Sequence, residues 1–495
     1  MSSYRELETR YRRLAAIGQA TGMLHWDAAV MMPAGGADAR AEQIAALVSL
    51  RHELQCRPDM ADLFAAAEEE KDLSPWQAAN LREMRRGWRH ATALPADLVE
   101  ARSKAGMASE MAWREARPNS DFAAITGLLA EVLRLETEAA GIKAEALGCT
   151  PYDALLDQYS PGIDTATVER TFAQLTAFLP GFIAAVIERQ ASNPAPETPK
   201  GPFPEATQRA VGMRFMQALG FDFGGGRLDV STHPFSGGTP DDLRITTRYD
   251  EDDFATGLMG ILHETGHALY ERGLPKDWRL QPVGTARGMD VHESQSLLIE
   301  MQACRSKPFI DYAAPLLKDA FGGSGPLWDA GNLYGIFTHV NCGLIRVDAD
   351  EATYPLHVIL RTDLERAMLA GDLAIDDLPG AWNEAMQRLL GLVPPDDTDG
   401  CMQDIHWFDG AFGYFPSYTM GAMAAAQFFQ AAVTSAPEIP DAIGRGDFKP
   451  LYGWLGINIH QQGSYLETPD LIAAATGAPL DPEIFIAHLQ SRYLG

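Results

Sequence analysis

Cysteine is scarce in this chain. Of 495 residues only Cys56, Cys149, Cys304, Cys342 and Cys401 carry a thiol. They are odd in number and widely spread, and no Cys-x-x-Cys pair occurs. This argues against a disulfide framework and against a thiolate metal site. Basic charge is also short: 40 Lys and Arg stand against 67 Asp and Glu, a formal net charge of −27. Neutralising phosphates or docking on anionic lipid needs a basic surface, so neither nucleic acid nor a membrane is an expected partner. The opening segment MSSYRELETRYRRL is charged from the fourth residue and lacks the apolar stretch of a signal peptide. The longest apolar stretch, Met420 to Val433, is broken by Gln427 and Gln430. It falls short of the roughly 18 residues a membrane span needs. The expected compartment is therefore the cytoplasm. No internal repeat is apparent, which excludes a solenoid.

Hydrophobic residues are plentiful, at 46 %, and their spacing is mostly helical. From Tyr4 to about Gly148, apolar residues recur three and four apart, as in AEQIAALVSLRHEL. Pro33, Pro58, Pro75, Pro95 and Pro118 punctuate this region. A Pro-rich stretch, Asn193 to Pro204, reads as an exposed connection. Strand signals are confined to Arg227–Thr232 and Asp242–Tyr249, flanking the Gly/Pro-rich HPFSGGTPD. These predict a small hairpin or sheet, with helix resuming from Asp253. The fold class is therefore mainly α, with one small β-sheet near the middle of the chain.

The strongest chemical signal follows that sheet. GLMGILHETGHALYERGL carries His263-Glu264-Thr265-Gly266-His267, a His-Glu-x-x-His motif. A helix puts positions i and i+4 on one face, so both imidazoles can reach one ion. Glu264 stands beside the first ligand, placed to take a proton from metal-bound water. Gly266 costs about 1 kcal/mol in mid-helix, which predicts close approach of another chain segment. A hydrolytic zinc site usually has three protein ligands. The third is sought in DVHESQSLLIEM, after 25 intervening residues that can leave the first helix and start a second alongside. Glu293 is preferred and His292 is the alternative. Two histidines and a carboxylate suit Zn2+, and Co2+ or Mn2+ can occupy such a set.

Six motifs in order resemble the carboxypeptidase Taq family of metal-dependent carboxypeptidases. They are His233-Pro234-Phe235, Asp242-Leu243-Arg244-Ile245-Thr246, His263 to His267, His292 to Gln295, Ile345-Arg346-Val347-Asp348-Ala349-Asp350, and Gly400 to Trp407. LHWDAAVMMP and YDALLDQYSPG (Tyr152 to Gly162) are similar as well. The resemblance implies one catalytic domain over residues 1–495, with two helical lobes and a deep groove beside the sheet, as in neurolysin and angiotensin-converting enzyme. It implies removal of single residues from peptide C-termini with broad side-chain tolerance, and homodimers. Division by length into about three domains yields to it.

Further roles follow from that chemistry. A tetrahedral intermediate needs oxyanion donors; His406 and Tyr418 lie in a Gly-rich stretch that can carry both over the metal, with Tyr414 competing for the tyrosine's role. A free substrate carboxylate suits an arginine fork: Arg346 is the first choice and Arg244 the second, with Gln403 as an added donor. The bland alternatives are salt bridges of Arg346 with Asp348 or Asp350, and of Arg244 with Asp242. His233 and the strand through Ile245 are expected to line the groove, where an extended peptide can add to a sheet edge. His25, His52, His90, His339, His357, His460 and His488 have no ligand spacing. Two rival readings stand beside this one. One is a zinc oligopeptidase or dipeptidyl carboxypeptidase cutting further from the C-terminus. The other is a helical binding protein with a vestigial metal site.

Overall fold

The computed structural model describes residues 2–495. Helix accounts for 68 % of the chain. The punctuating prolines lie between helices or open them, where a missing N–H costs nothing. Ser74, for example, caps the helix Pro75–Ala93 through a capping box with Gln77. The Asn193–Pro204 stretch is irregular and mostly exposed, with Pro199 and Phe203 buried, anchors that the sequence reading missed. Phe203 is 2 % exposed, edge-on to Phe254 and Phe321 at 5.0 and 5.1 Å.

Two large apolar cores meet at the helix Pro416–Ser435. Met420, Met423 and Ala426 belong to one core, while Ala424, Ala425, Phe428 and Ala432 belong to the other. A helix that is apolar on most of its faces is buried on most of its sides, which accounts for the long, nearly apolar run in its sequence. A second helix, Thr165–Ala191, is long and apolar enough to cross a membrane by length and composition. Here its Val168, Phe172, Leu175, Leu179, Phe182, Ile183 and Val186 are buried within the first core.

Of the two expected forms, a hairpin or a small sheet, the structure has the sheet, with a third strand where the turn was expected. Strand β1 (Gly226–Val230) pairs in parallel with β3 (Asp242–Thr247). The supposed turn contains β2 (Phe235–Thr239), antiparallel to β3. The order is β1-β3-β2. Glycines Gly237 and Gly238 hid β2, because they weaken a strand signal. Leu228, Leu243 and Ile245 pack against Ile261 and Ala268 of the motif helix, Phe254–Gly273. Asp253 caps that helix, its carboxylate accepting from Ala255 N at 2.8 Å.

On its other side the motif helix meets Met289–Leu297. Contact is made at Gly266, where an added Cβ would sit 2.6 Å from the Gln295 carbonyl oxygen and 2.7 Å from Ser296 Cα. This is the close approach that the mid-helix glycine predicted. Gly266→Ala therefore sets a helix-propensity gain of about 1 kcal/mol against an overpacking cost of about 1–3 kcal/mol. Because both clashing atoms are backbone, the cost wins. The variant is expected to unfold at lower denaturant than the parent, as measured by equilibrium unfolding.

Candidate metal centre and active site

The motif helix presents His263 and His267 one turn apart, their rings 4.9 Å apart and nearly perpendicular. Glu293 projects from the first turns of Met289–Leu297. One atom from each of these three residues lies within 4.8 Å of the others. The Glu293 oxygens stand 3.9 Å from His263 Nε2 and 3.7 Å from His267 Nε2. In a tetrahedral zinc site with bonds of about 2.0–2.1 Å, neighbouring ligand atoms are about 3.3–3.5 Å apart. The spacing is that of atoms facing one ion rather than each other. Glu264, His267 and Glu293 are only 8, 9 and 8 % exposed. No Lys or Arg bonds either carboxylate among the described residues. Two buried carboxyls and two imidazoles without a fixed cationic partner call for a cation; the donor set fits one.

The electrostatics follow from that crowding. Burial alone would depress His263, but Glu300, Glu293 and Glu264 hold it up to about 10. Burial pushes His267 well below the ordinary histidine range and lifts Glu264 to about 7. Burial also raises Glu293, against the pull of His263.

Sequence reasoning missed the carboxylate behind the first histidine. His263 Nδ1 is 3.0 Å from Glu300 Oε2, and Arg305 Nη2 donates to Glu300 Oε1 at 2.7 Å. Burial would raise Glu300, yet Arg305 and His263 hold it below the usual carboxylate range. An ionised Glu300 keeps the proton on Nδ1, so the Nε2 proton is the one a bound cation would displace to gain that lone pair as a ligand. The available signal was spacing: Glu300 falls seven residues after Glu293, two turns on. It lies in the π-helical segment Leu298–Cys304 that continues the acidic helix, and such segments recur at functional sites. His292, the alternative ligand, lies outside the cluster. It stacks on His267 at 4.4 Å and turns its Nε2 to Glu271 at 3.1 Å.

Tyr418 reaches the same region through Gly421. An added Cβ at Gly421 would lie 2.8 Å from Glu293 Cβ, so the helix Pro416–Ser435 rests directly on the acidic residue. Tyr418 is one turn earlier on that helix. His406 lies in the preceding loop, its Nε2 3.2 Å from Tyr418 Oη. Burial pushes His406 down to about 4, so it is neutral at neutral pH. Burial raises both tyrosines; Arg346, with its guanidinium carbon 4.8 Å above the Tyr418 ring, limits the rise of Tyr418 to about 12. Tyr414 rises further.

Arg346 follows the partly buried Leu344 and Ile345. It opens a single 3-10 turn, Arg346–Asp348, and its partner is neither Asp348 nor Asp350. Nη2 donates to Asp404 at 2.8 Å, Nε reaches the same carboxylate at 3.2 Å, and Nη1 donates to Tyr354 Oη at 3.2 Å. Arg361, fully buried, donates to the other Asp404 oxygen at 2.6 Å. All three Arg346 nitrogens are thus engaged. Gln403 is likewise committed, which corrects its reading as a substrate donor. Its amide nitrogen donates to the Asp399 and Leu344 carbonyls, and its oxygen accepts from Arg346 N and Arg361 Nη2.

Arg244 pairs with Asp242 through Nε and Nη2 and stacks on Trp26 at 4.3 Å, leaving Nη1 free of these bonds. It alternates with the buried Leu243 and Ile245, so it faces away from the motif helix. His233 is exposed just before β2, outside the ligand cluster.

The sequence profile of the family described as Carboxypeptidase Taq (M32) metallopeptidase matches residues 6–493. Thermostable carboxypeptidase 1 of Thermus thermophilus is 36 % identical over 509 residues, covering 99 % of this chain and 98 % of that protein. Carboxypeptidase 1 of Bacillus subtilis is 34 % identical, covering 97 and 96 % respectively. Among solved structures, metallocarboxypeptidase 1 of Trypanosoma cruzi matches with a TM-score of 0.97 at 40 % identity, covering 100 % of this chain and 99 % of that one.

The Glu300 contact generates a direct test. Glu300→Gln keeps the shape and removes the charge that orders His263. Metal affinity is expected to fall about 10–100-fold, measured by competition with a chromophoric chelator. Unchanged affinity would show that His263 is oriented by packing alone.

Proposed function

This chain belongs to the carboxypeptidase Taq (M32) metallopeptidases and is a hydrolase of peptide bonds; on that premise we propose that it removes single C-terminal residues from peptides with broad specificity, using Zn2+ held by His263, His267 and Glu293. The convergence of those three ligand atoms within 4.8 Å, beside a buried Glu264, carries the reading. Zinc, when bound, supplies Lewis acidity that makes water a nucleophile near neutral pH. Metal analysis of the isolated enzyme separates zinc from Co2+ or Mn2+.

The chain's own groups do the rest. Glu264 accepts a proton from the attacking water and returns it to the leaving amine. In its Nε2-protonated tautomer, neutral His406 would donate to Tyr418 Oη, which would free the tyrosine proton for the developing oxyanion. Tyr418 is preferred over Tyr414, because Arg346 lies over its ring and makes it the stronger donor. For the substrate carboxylate the order of the arginines reverses. Arg346 already holds Asp404 and Tyr354, whereas Arg244 keeps Nη1 and is braced by Trp26. Gly237, its register partner on β2, leaves space beside it. His233 and the β2 edge then line the path of an extended peptide.

The same reading extends to one catalytic domain over residues 1–495, with two lobes about a groove as in neurolysin and angiotensin-converting enzyme. It also extends to a cytoplasmic homodimer. The vestigial binding protein is not retained, since the family is enzymatic and Glu264 stands with all three ligands.

Glu264→Gln is expected to keep its metal and to lose a factor on the order of 10²–10⁴ in kcat; full turnover would sink the assignment. On an unblocked pentapeptide, single residues should appear first. Dipeptides or internal fragments appearing first would favour the dipeptidyl carboxypeptidase or oligopeptidase. Amidating the substrate C-terminus should lower kcat/KM roughly 10–100-fold, the worth of a charged hydrogen bond, and Arg244→Lys should abolish much of that discrimination.

A further inference from the structure

The segment YDALLDQYSPG stands apart from the metal ligands and the residues already given roles, yet it packs against the His406–Tyr418 stretch. Leu155 and Tyr159 of its helix, Pro151–Tyr159, and Ser160 just after it touch that stretch, and Tyr152 touches a residue that bonds to it. Tyr152 Oη donates to Glu365, a fully buried residue of the helix Tyr354–Ala370. Leu155 backs Gly413, where an added Cβ would come within 2.9 Å of Leu155 Cβ and where φ is +83°. The Tyr159 ring meets Tyr414 edge-on at 4.9 Å. Ser160 Oγ lies 3.1 Å from Ser417 Oγ.

Glu365 gathers this arrangement. Besides Tyr152 it accepts from Trp407 Nε1 at 3.1 Å and from Gly413 N at 3.3 Å. Trp407 adjoins His406, and Gly413 adjoins Tyr414. The three donors are neutral and come from both ends of the loop and from a separate helix. No Arg or Lys pairs with this carboxyl among the described residues. A buried acidic side chain without a basic partner is a costly way to fill space. Its shape-specific product is a fixed loop, because one carboxyl can hold three donors only in one geometry.

We infer that Glu365 is a positioning residue for the reaction. Through its bonds to Tyr152, Trp407 and Gly413 it sets where the loop presents His406 and, at the loop's end, Tyr418. The inference rests on the proposed donor role of His406 and Tyr418. Glutamine in its place can satisfy at most two of the three donors, since its amide nitrogen must face either Trp407 Nε1 or Gly413 N. Tyr152→Phe removes one donor and nothing else.

The test compares Glu365→Gln, Tyr152→Phe, the double variant and Tyr418→Phe, each loaded with zinc and assayed on a blocked dipeptide. Glu365→Gln and Tyr152→Phe should lower kcat by about 10-fold or more, the scale of a sub-ångström misplacement. KM should change less than kcat, as for an interaction made in the transition state. Chelator competition should give an unchanged zinc affinity, which general loosening of the fold would not. In the double variant the losses should fall short of additive, as for groups in one network. If Glu365→Gln does not fold, the Tyr152→Phe result stands alone. Loss of kcat in Tyr418→Phe, with kcat retained in Tyr152→Phe and in any folded Glu365→Gln, overturns the positioning role alone. Unchanged kcat in Tyr418→Phe overturns the donor reading and this inference with it. A fall in kcat matched by a fall in zinc affinity also overturns it.

Discussion

Everything at the site depends on how closely three helices approach one another. The acidic helix Met289–Leu297 lies between the motif helix and Pro416–Ser435, and both contacts are made over glycine. Gly266 admits the backbone at Gln295 and Ser296, and Gly421 admits Glu293 itself. Helix axes usually stand 8–10 Å apart, according to the side chains between them. Removing those side chains lets a short glutamate reach the two imidazoles. Tyr418 stands one turn before Gly421 on the helix that rests on that glutamate. The candidate metal ligands and the proposed oxyanion donors are thus parts of a single packing solution.

Burial then decides what each polar group can do. Around the histidines, Glu300 and Arg305 form a short chain of charge that ends on His263 Nδ1. On the far side, Arg361 and Arg346 share Asp404, leaving one positive charge more than the carboxylate cancels. Burial would lift Asp404, but the two arginines hold it far below the ordinary carboxylate range. The surplus charge lies over the Tyr418 ring. Buried ions of this kind stabilise only when fully partnered, which explains why Gln403 is occupied by backbone and arginine. A residue that looked like a substrate donor is part of the support for Arg346.

Parts of this were legible in the sequence for a physical reason. His263, Glu264 and His267 are related by helical geometry, which spacing alone determines. The helical class followed from periodicity. Glu293 required only that the chain have length to return. The β2 strand was not legible, because glycines carry no side-chain pattern to read. The partner of Arg346 was not legible either. Asp404 lies 58 residues away, and nearer aspartates offered equally good local pairs. The helix Pro151–Tyr159 was visible as a motif but mute as to purpose, since the contacts that tie it to Glu365 and to the His406–Tyr418 stretch are with distant segments.

The sequence by itself determined the His-Glu-x-x-His pattern, with its candidate ligands and candidate base, and the kind of helix that carries them, because these are local relations within one or two turns. Tertiary structure alone decided which carboxylate orders His263, which arginine keeps a free donor, and which helix braces the loop of His406. Those relations depend on side chains brought together across dozens to hundreds of residues, and no spacing along the chain encodes a meeting in space.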